Sequence, residues 1–259
     1  MITFNKQLVK TELEIQKMKA AGNLNALALA EVKKMIKPGL TTSALDQTAE
    51  MVIRDHGGVP TFKGYPGPYP YPATLTISIN EEMVHGIPSG RTLTEGDIVS
   101  IDCGTTLDGF IGDSAFTAGV GEIGEEKSRL LQVTRESLYK GIEQMRIGKH
   151  IGDVGAAIQQ HVEGAGYFVP RQYTGHGVGR EMHEPPQVPN YGVPGQGMLL
   201  REGMTIAIEP MVLVGTPDTR VLADQWTVIS ADHSLTAHFE HTVAVTANGP
   251  LILTECRES

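Results

Sequence analysis

Residues 93–113 read LTEGDIVSIDCGTTLDGFIGD, and this stretch decides the fold that we predict for the chain. The apolar run at 98–101 is typical of a β-strand, Asp108–Gly109 is a strong turn signal, and a second apolar run follows the turn. The stretch therefore predicts a β-hairpin that carries Asp102 on one strand and Asp113 on the other.

The two aspartates of this hairpin have two interpretations. A hairpin turn can bring both carboxylates to one side, where they would repel each other unless a cation neutralised them. A buried pair would therefore indicate a metal site or an acid/base pair. Two solvated loop aspartates are the alternative, because Asp is common in turns. Cys103 points away from Asp102 on a strand, so we expect its side chain in the core.

Size, composition and charge limit the function classes. The 259 residues are 40% hydrophobic, as in an ordinary globular protein. The formal net charge of −9 argues against nucleic acid as a substrate. The two cysteines, Cys103 and Cys256, indicate neither a disulfide scaffold nor a cysteine-rich zinc site. Because we find neither a signal peptide nor an apolar run of ~20 residues, we expect a cytoplasmic protein without a membrane contact.

Helix signals flank the strands. Thr11 and Glu14 match a capping box that would begin a helix ending near Ile36. Thr41 or Thr42 would begin a second helix that ends at Gly57–Gly58. Further helical patterns lie at 124–145 and around 154–164, and residues 74–80 alternate like a strand.

Residues 60–73 contain five prolines and three tyrosines, which excludes a regular helix or a central strand. The segment is either a surface connector or an aromatic wall of a ligand pocket. The residues alone favour the connector.

The chain contains an internal similarity. LTEGDIVSID at 93–102 parallels LREGMTIAIE at 200–209, and the helical stretch 39–60 parallels 148–170 at nearly the same offset. Two matches at one offset indicate a duplicated helix–strand unit. We therefore predict a single domain over 1–259, built from similar halves at about 10–120 and 121–259.

Two further acids, Glu209 and Glu240, lie in apolar strand-like stretches. Burying a carboxylate without a partner is costly. A glycine-rich loop contributes His176, although a lone loop histidine is usually not a ligand. Together with Asp102 and Asp113, these groups carry enough charge for two divalent cations ~3.5–4 Å apart. The oxygen-rich donor set suits Mn, Fe or Co, and also Zn. Such a pair of ions would activate water for hydrolysis.

Five motifs carry a resemblance to a known family: ISINEEMVHGIP at 77–88, GDIVSIDCGTTLDGFIGD at 96–113, GHGVGREMHEPP at 175–186, TIAIEPM at 205–211 and FEHTVAVT at 239–246. Over essentially its whole length the chain resembles the type I methionine aminopeptidases of the short bacterial form. The resemblance implies the "pita-bread" α/β (α+β) fold, in which two pseudo-symmetric halves surround a curved antiparallel sheet flanked by helices.

The resemblance also implies the site residues. The metal ligands would be Asp102, Asp113, His176, Glu209 and Glu240. His85 would contact the substrate near the scissile peptide, His183 would stabilise the tetrahedral intermediate, and Glu209 would be the general base or proton shuttle. The methionine pocket would comprise Phe62, Tyr65, Tyr71, Thr76, Met182 and Trp226, which reverses the connector interpretation of the tyrosine-rich segment.

The chain departs from the family pattern in two places that matter here. The loop between Tyr65 and Tyr71 is about three residues longer than usual. His238 stands where glutamine is usual, so it either binds an extra metal ion or replaces an amide hydrogen bond, and we favour the second.

The function that we predict is metal-dependent removal of N-terminal methionine from nascent chains and short peptides, with a preference for a small second residue. One alternative is an X-Pro aminopeptidase or prolidase of the same superfamily. Those relatives carry a large N-terminal domain, whereas only about 75 residues precede the first strand predicted here. A non-catalytic binding protein of the family is a second alternative, which retention of all five ligands disfavours. We expect a monomer that is able to associate transiently with the ribosome.

Overall fold

The computed structural model describes residues 8–255, so Cys256 lies outside the described residues. Within that range the chain forms helices and strands in a mixed arrangement. The helices are α1 (Glu12–Met35), α2 (Thr42–Asp55), α3 (Glu125–Ile142) and α4 (Ile151–Gly164). The described residues contain no helix long and apolar enough to cross a bilayer.

The strands are short except for one long hairpin. In chain order they are β1 (Val59–Pro60), β2 (Leu75–Ile79), β3 (Glu82–Val84), β4 (Ile98–Leu107), β5 (Phe110–Gly119), β6 (Thr174–Gly177), β7 (Glu184–Pro189), β8 (Thr205–Ile208), β9 (Met211–Leu213), β10 (Thr219–Val221), β11 (Val228–Ser230), β12 (Thr236–His238), β13 (Glu240–Thr246) and β14 (Gly249–Ile252).

The main sheet has nine antiparallel strands in the order β1-β4-β5-β13-β8-β6-β7, with β2 also on β4 and β14 also on β13. β13 therefore joins β5 of the first part of the chain to β8 of the second. The alternation of helix pairs and strands agrees with the predicted mixed fold class.

The predicted helix starts are confirmed. Thr11 caps α1, its hydroxyl accepting from the backbone N–H of Glu14 while the Glu14 carboxylate accepts from the backbone N–H of Thr11. Thr41 is the N-cap residue of α2, although its side chain makes no capping hydrogen bond.

The predicted hairpin is β4–β5. Asp108 and Gly109 form its turn with φ angles of 49° and 76°, as a two-residue hairpin turn of type I′ requires. Gly104 lies opposite Asp113, and Asp102 lies two residues from Gly104 on the same strand. Directly opposed residues share a face, as do residues two apart on one strand. Both carboxylates therefore point to one side of the sheet, which agrees with the first of the two interpretations.

The helices cover the other face of the sheet. Cys103, fully buried, packs with residues of α1, α2 and β2 such as Leu29, Leu45 and Ile77. A second apolar cluster joins α3 and α4 to β8 and β13. Because these clusters seal one face, the opposite face is left for the polar side chains of Asp102 and its neighbours.

Helix α1 lies very close to β5. A Cβ atom on Gly112 would be 2.5 Å from the Cα of Gly22 and 2.6 Å from its nitrogen. Only glycine permits this distance between a helix and a strand. The contact fixes α1 directly behind the strand that carries Asp113.

Candidate metal centre and substrate cavity

A cavity of about 290 Å³ opens on the face of the sheet that carries Asp102 and Asp113. Every site residue predicted from the sequence lies in its wall, and five further residues complete the lining. The predicted residues are Phe62, Tyr65, Tyr71, Thr76, His85, Asp102, Asp113, His176, Met182, His183, Glu209, Trp226 and Glu240.

Strand register explains why the acids meet. Glu240, the first residue of β13, lies opposite Ala115 of β5, and Ala115 in turn lies opposite Asp102 of β4. Glu209 directly follows β8, the neighbour of β13. Asp113, Glu240 and His176 are all buried, and one ligand atom of each lies within 4.8 Å of the others. Three adjacent strands thus bring carboxylates to one point.

The orientation of the His176 imidazole leaves one nitrogen for the cavity. Its Nδ1 lies 2.9 Å from the carbonyl oxygen of Gly177. A carbonyl only accepts, so Nδ1 carries the proton and Nε2 has a free lone pair. That Nε2 lies 3.6 Å from Oδ2 of Asp113 and 3.5 Å from Oε1 of Glu209. Lone pairs that face one another in this way are what a bound cation requires.

Burial changes the protonation of the four acids. Burial raises the pKa of Asp102 to about 7. Burial, reinforced by the neighbouring carboxylates, also raises the pKa values of Asp113, Glu209 and Glu240 well above their ordinary range. Burial lowers the pKa of His176 to about 4, so this imidazole is neutral near pH 7 and can act as a ligand.

Unpaired oxygen atoms indicate whether these residues suit a bound metal ion. Among residues 8–255, Oδ1 of Asp102, Oδ1 of Asp113 and Oε1 of Glu240 are buried without a hydrogen-bond partner. Buried polar atoms are normally paired, so each of these needs a partner that the protein itself does not provide. Carboxylate oxygens with one neutral imidazole fit divalent Mn, Fe, Co or Zn.

Two more histidines lie at the rim of this cluster. His85 has a φ of 62°, which is uncommon for a residue with a side chain. It precedes Gly86, where a Cβ atom would be 2.2 Å from the carbonyl oxygen of Ile77. Burial lowers the pKa of His85 to about 4 and also lowers the pKa of His183. The strained backbone at His85 is the type of feature that functional sites retain.

Aromatic side chains form the rest of the cavity wall. The ring centroid of Trp226 lies 5.1 Å from that of Tyr71 in an edge-to-face arrangement and 6.4 Å from that of His85. Phe62 and Met182 are buried beside them. This apolar, partly aromatic wall is suited to an unbranched thioether side chain.

Five wall residues were not predicted: Val84, Gln172, Tyr173, Thr174 and Met211. Their sequence positions offered a signal, because Val84 directly precedes His85, residues 172–174 lie two to four residues before His176, and Met211 lies two residues after Glu209. His238 is 2% exposed, and its Nε2 lies 3.9 Å from Glu209 and 4.0 Å from Glu240. This places His238 beside the carboxylates, at distances longer than a hydrogen bond, and Nε2 is buried without a hydrogen-bond partner among residues 8–255.

Sequence comparisons agree with the geometry. The profile of metallopeptidase family M24 matches residues 16–247. A methionine aminopeptidase of Clostridium acetobutylicum is 50% identical over 250 residues, which cover 96% of this chain and 99% of the relative. Methionine aminopeptidase 1 of Bacillus subtilis is 48% identical, with 95% and 98% of the two chains covered.

Solved structures show the same fold. The crystal structure of a methionine aminopeptidase from Thermotoga maritima superposes with a TM-score of 0.93 at 48% identity, covering 95% of this chain and 98% of the other. A prolidase from Pyrococcus horikoshii gives a TM-score of 0.79 at 24% identity and is covered over only 64% of its length. The second match shows the fold alone, whereas the first extends over nearly all of both chains.

Proposed function

This chain belongs to the methionine aminopeptidases of metallopeptidase family M24, and from that premise we propose that it hydrolyses the peptide bond after an N-terminal methionine. The observation that carries the proposal is that two buried carboxylates, Asp113 and Glu240, two partly buried ones, Asp102 and Glu209, and a neutral imidazole line one cavity with aromatic walls. The substrates are nascent chains and short peptides that begin with methionine, and the second residue is preferentially small, a selectivity that would be steric.

Five residues hold the metal in this proposal. Asp113 and Glu240 would be the ligands shared by two ions, Asp102 would hold one of them, and His176 with Glu209 would hold the other. Their unpaired oxygens and the bare Nε2 of the imidazole support this assignment. When bound, two divalent ions of Co, Mn, Fe or Zn would supply Lewis acidity and lower the pKa of a water molecule.

The protein's own groups then move protons and stabilise charge. Glu209 accepts a proton from the attacking water and returns it to the leaving amine, a role that suits a carboxylate at the inner edge of the cavity. His183 donates an imidazole N–H to the carbonyl oxygen as negative charge develops there. His85 contacts the substrate near the scissile peptide. Both imidazoles line the cavity.

The methionine side chain occupies the aromatic part of the cavity. Burial of the thioether against Tyr71 and Trp226 would contribute hydrophobic stabilisation and sulfur–aromatic contact. The remaining walls of this pocket are Phe62, Tyr65, Thr76 and Met182. A branched or charged first residue would fit less well and would be cleaved more slowly.

The proposal also covers the location of the enzyme, its oligomeric state and its partner. We place it in the cytoplasm as a monomer with a transient association with the ribosome, where new N-termini emerge. Light scattering after size exclusion and co-sedimentation with ribosomes would test these two points.

The deciding experiment compares two peptides with and without a chelator. We expect release of free methionine from a Met-Gly peptide, loss of that release with the chelator, and recovery when Mn²⁺ or Co²⁺ is returned. Cleavage of an X-Pro peptide instead would show a prolidase-like enzyme. If neither peptide were cleaved by metal-loaded protein, the non-catalytic alternative would replace the proposal.

A further inference from the structure

The hydroxyl of Tyr65 lies 2.5 Å from Nδ1 of His183, and the two rings meet edge to face with centroids 5.3 Å apart. Burial, followed by the nearby charge of Glu181, raises the pKa of the Tyr65 phenol above its ordinary value near 10. The phenol therefore keeps its proton at neutral pH and is able to donate it to Nδ1.

The backbone of Tyr65 is held in place by its own loop. The N–H of Tyr65 donates to the carbonyl of Phe62, the N–H of Tyr71 donates to the carbonyl of Tyr65, and the N–H of Gly64 donates to the carbonyl of Tyr71. These three hydrogen bonds close the base of the loop. Since Tyr71 is itself 3% exposed, the loop base is anchored in the core.

A different segment holds His183. The Oε1 atom of Glu184 accepts from the backbone N–H groups of Arg180 at 2.8 Å and Glu181 at 3.2 Å. The other carboxylate oxygen pairs with Nζ of Lys10 at 2.6 Å, with both side chains nearly buried. The turn that carries His183 is thus fixed independently of the Tyr65 loop, and the hydroxyl–imidazole contact joins two anchored segments.

A neutral imidazole carries its proton on one nitrogen only, and the partner of the other nitrogen decides which one. We propose that Tyr65 is a positioning residue that sets the tautomer of His183, leaving Nε2–H as the donor of this ring toward the cavity. This inference rests on the proposed function, in which His183 donates to the developing oxyanion. With the proton on Nδ1 instead, Nε2 would present a lone pair to that oxygen and repel it.

The first test is Tyr65→Phe, which removes the hydroxyl and keeps the ring that lines the cavity. We expect kcat for a Met-Gly peptide to fall ~10-fold or more, because an oriented donor is partly lost, while KM changes less than twofold. Tyr69→Phe is the matched control, since this loop-tip hydroxyl donates to the carbonyl of Asp224 and not to His183. A normal kcat for Tyr65→Phe, or an equal loss in the control, would overturn the proposal.

A double-mutant cycle distinguishes a loss of kcat that acts through the His183 tautomer from a loss caused by a general change in the pocket. Because Tyr65 acts through His183, Tyr65→Phe should cause no further loss of kcat in a His183→Ala background. If the two losses multiplied, Tyr65 would act independently of the imidazole and the inference would be wrong.

The second readout does not depend on catalysis. In metal-free protein labelled with ¹⁵N-histidine, the His183 resonances, identified by their absence in His183→Ala, should report the Nε2–H tautomer. In Tyr65→Phe they should shift toward the Nδ1–H form. The same tautomer in both proteins would refute the inference. If the wild-type protein released no methionine, the proposed function would be wrong. The spectrum would still show which tautomer His183 adopts and would therefore test this inference separately.

Discussion

At the scale of single residues, burial acts in opposite directions on the acids and on the imidazoles of the cavity. Burial and like charge raise the pKa values of Glu209 and Glu240, whereas burial lowers the pKa of His176 to about 4. Without a bound cation the carboxylates therefore tend to stay protonated near neutral pH. The His176 imidazole is already neutral and can bind a metal ion. The neutral imidazole favours metal binding at neutral pH, whereas the carboxylates must release their protons when a cation binds, so we expect metal affinity to rise with pH.

Removing a bridging carboxylate should remove activity. For Asp113→Ala or Glu240→Ala we expect the rate of methionine release to fall by ~100-fold or more, because even the outer partners of a metal site contribute 10- to 100-fold. Assays of kcat/KM, together with metal content by mass spectrometry, measure both effects. Asp108→Asn, at the tip of the same hairpin, should leave activity and metal content unchanged. Full activity in either alanine variant would refute the bridging assignment.

His183→Ala should separate catalysis from metal binding. We expect kcat to fall by roughly 100- to 1000-fold, as for the loss of an oxyanion donor, with metal affinity changed by only a few fold. Steady-state kinetics and calorimetric titration with Mn²⁺ would provide the two values. Loss of the metal ions in this variant would show that the imidazole is a ligand and that its assigned role is wrong.

At the scale of elements, the β4–β5 hairpin is the part on which the site depends. Its turn places Asp102 and Asp113 on one face, and α1 supports the opposite face through the contact between Gly22 and Gly112. Helix position and carboxylate position are therefore coupled, since a displacement of β5 would move Asp113.

A methyl group at Gly112 tests this coupling. Gly112→Ala would place a Cβ atom 2.5 Å from Gly22, so α1 or β5 must shift. We expect a loss of ~1–3 kcal/mol in the free energy of unfolding, as for overpacked cores, and weaker metal binding. Gly164→Ala is the matched control, because no atom lies within 4 Å of that Cβ position. Equal melting temperatures for Gly112→Ala and wild type would contradict the coupling.

At the scale of the whole molecule, the charge buried in the cavity links folding to pH and to metal. The carboxylates have higher pKa values folded than unfolded. The stability that they contribute is fully present below their unfolded pKa values near 4 and is lost as pH rises through the folded values, about 7 for Asp102. The pKa values of His85 and His176 are lowered to about 4, so the stability that these histidines contribute is present above pH ~6.5 and lost as pH falls.

Below pH ~6.5 the carboxylates lower the folding stability as pH rises, whereas the histidines raise it. Above pH ~6.5 only the loss of stability from the carboxylates continues. We therefore expect the melting temperature of metal-free protein to fall by ~3 °C or more between pH 6.5 and 8, about 1 kcal/mol for a chain of this size. With Mn²⁺ present the fall should disappear, since the metal binds the folded, ionised site. Calorimetry with chelator and with metal measures both curves. A rise in the melting temperature of metal-free protein over this range would contradict the burial of the four acids.

The assignment of roles within the cavity is still a prediction, as is the division of the domain into two similar halves. The wall residues Tyr173 and Met211 and the hydrogen bond between Tyr65 and His183 were not predicted. The wall residues lie near predicted site residues in the sequence, whereas the hydrogen bond joins two segments that are 118 residues apart and share no sequence pattern. The tyrosine-rich loop shows the same limit, because its residues alone favoured a connector over an aromatic wall of a pocket.

The sequence by itself determined the local elements of this protein: the capping box that begins α1, the hairpin with its Asp108–Gly109 turn, and the apolar settings of the acids. Those signals act over a few residues through backbone geometry and side-chain periodicity. Only the tertiary structure decided that β13 lies between β5 and β8, and hence that Glu240 meets Asp102 and Asp113. That register depends on burying both apolar clusters at once, a condition that no short stretch of sequence can express.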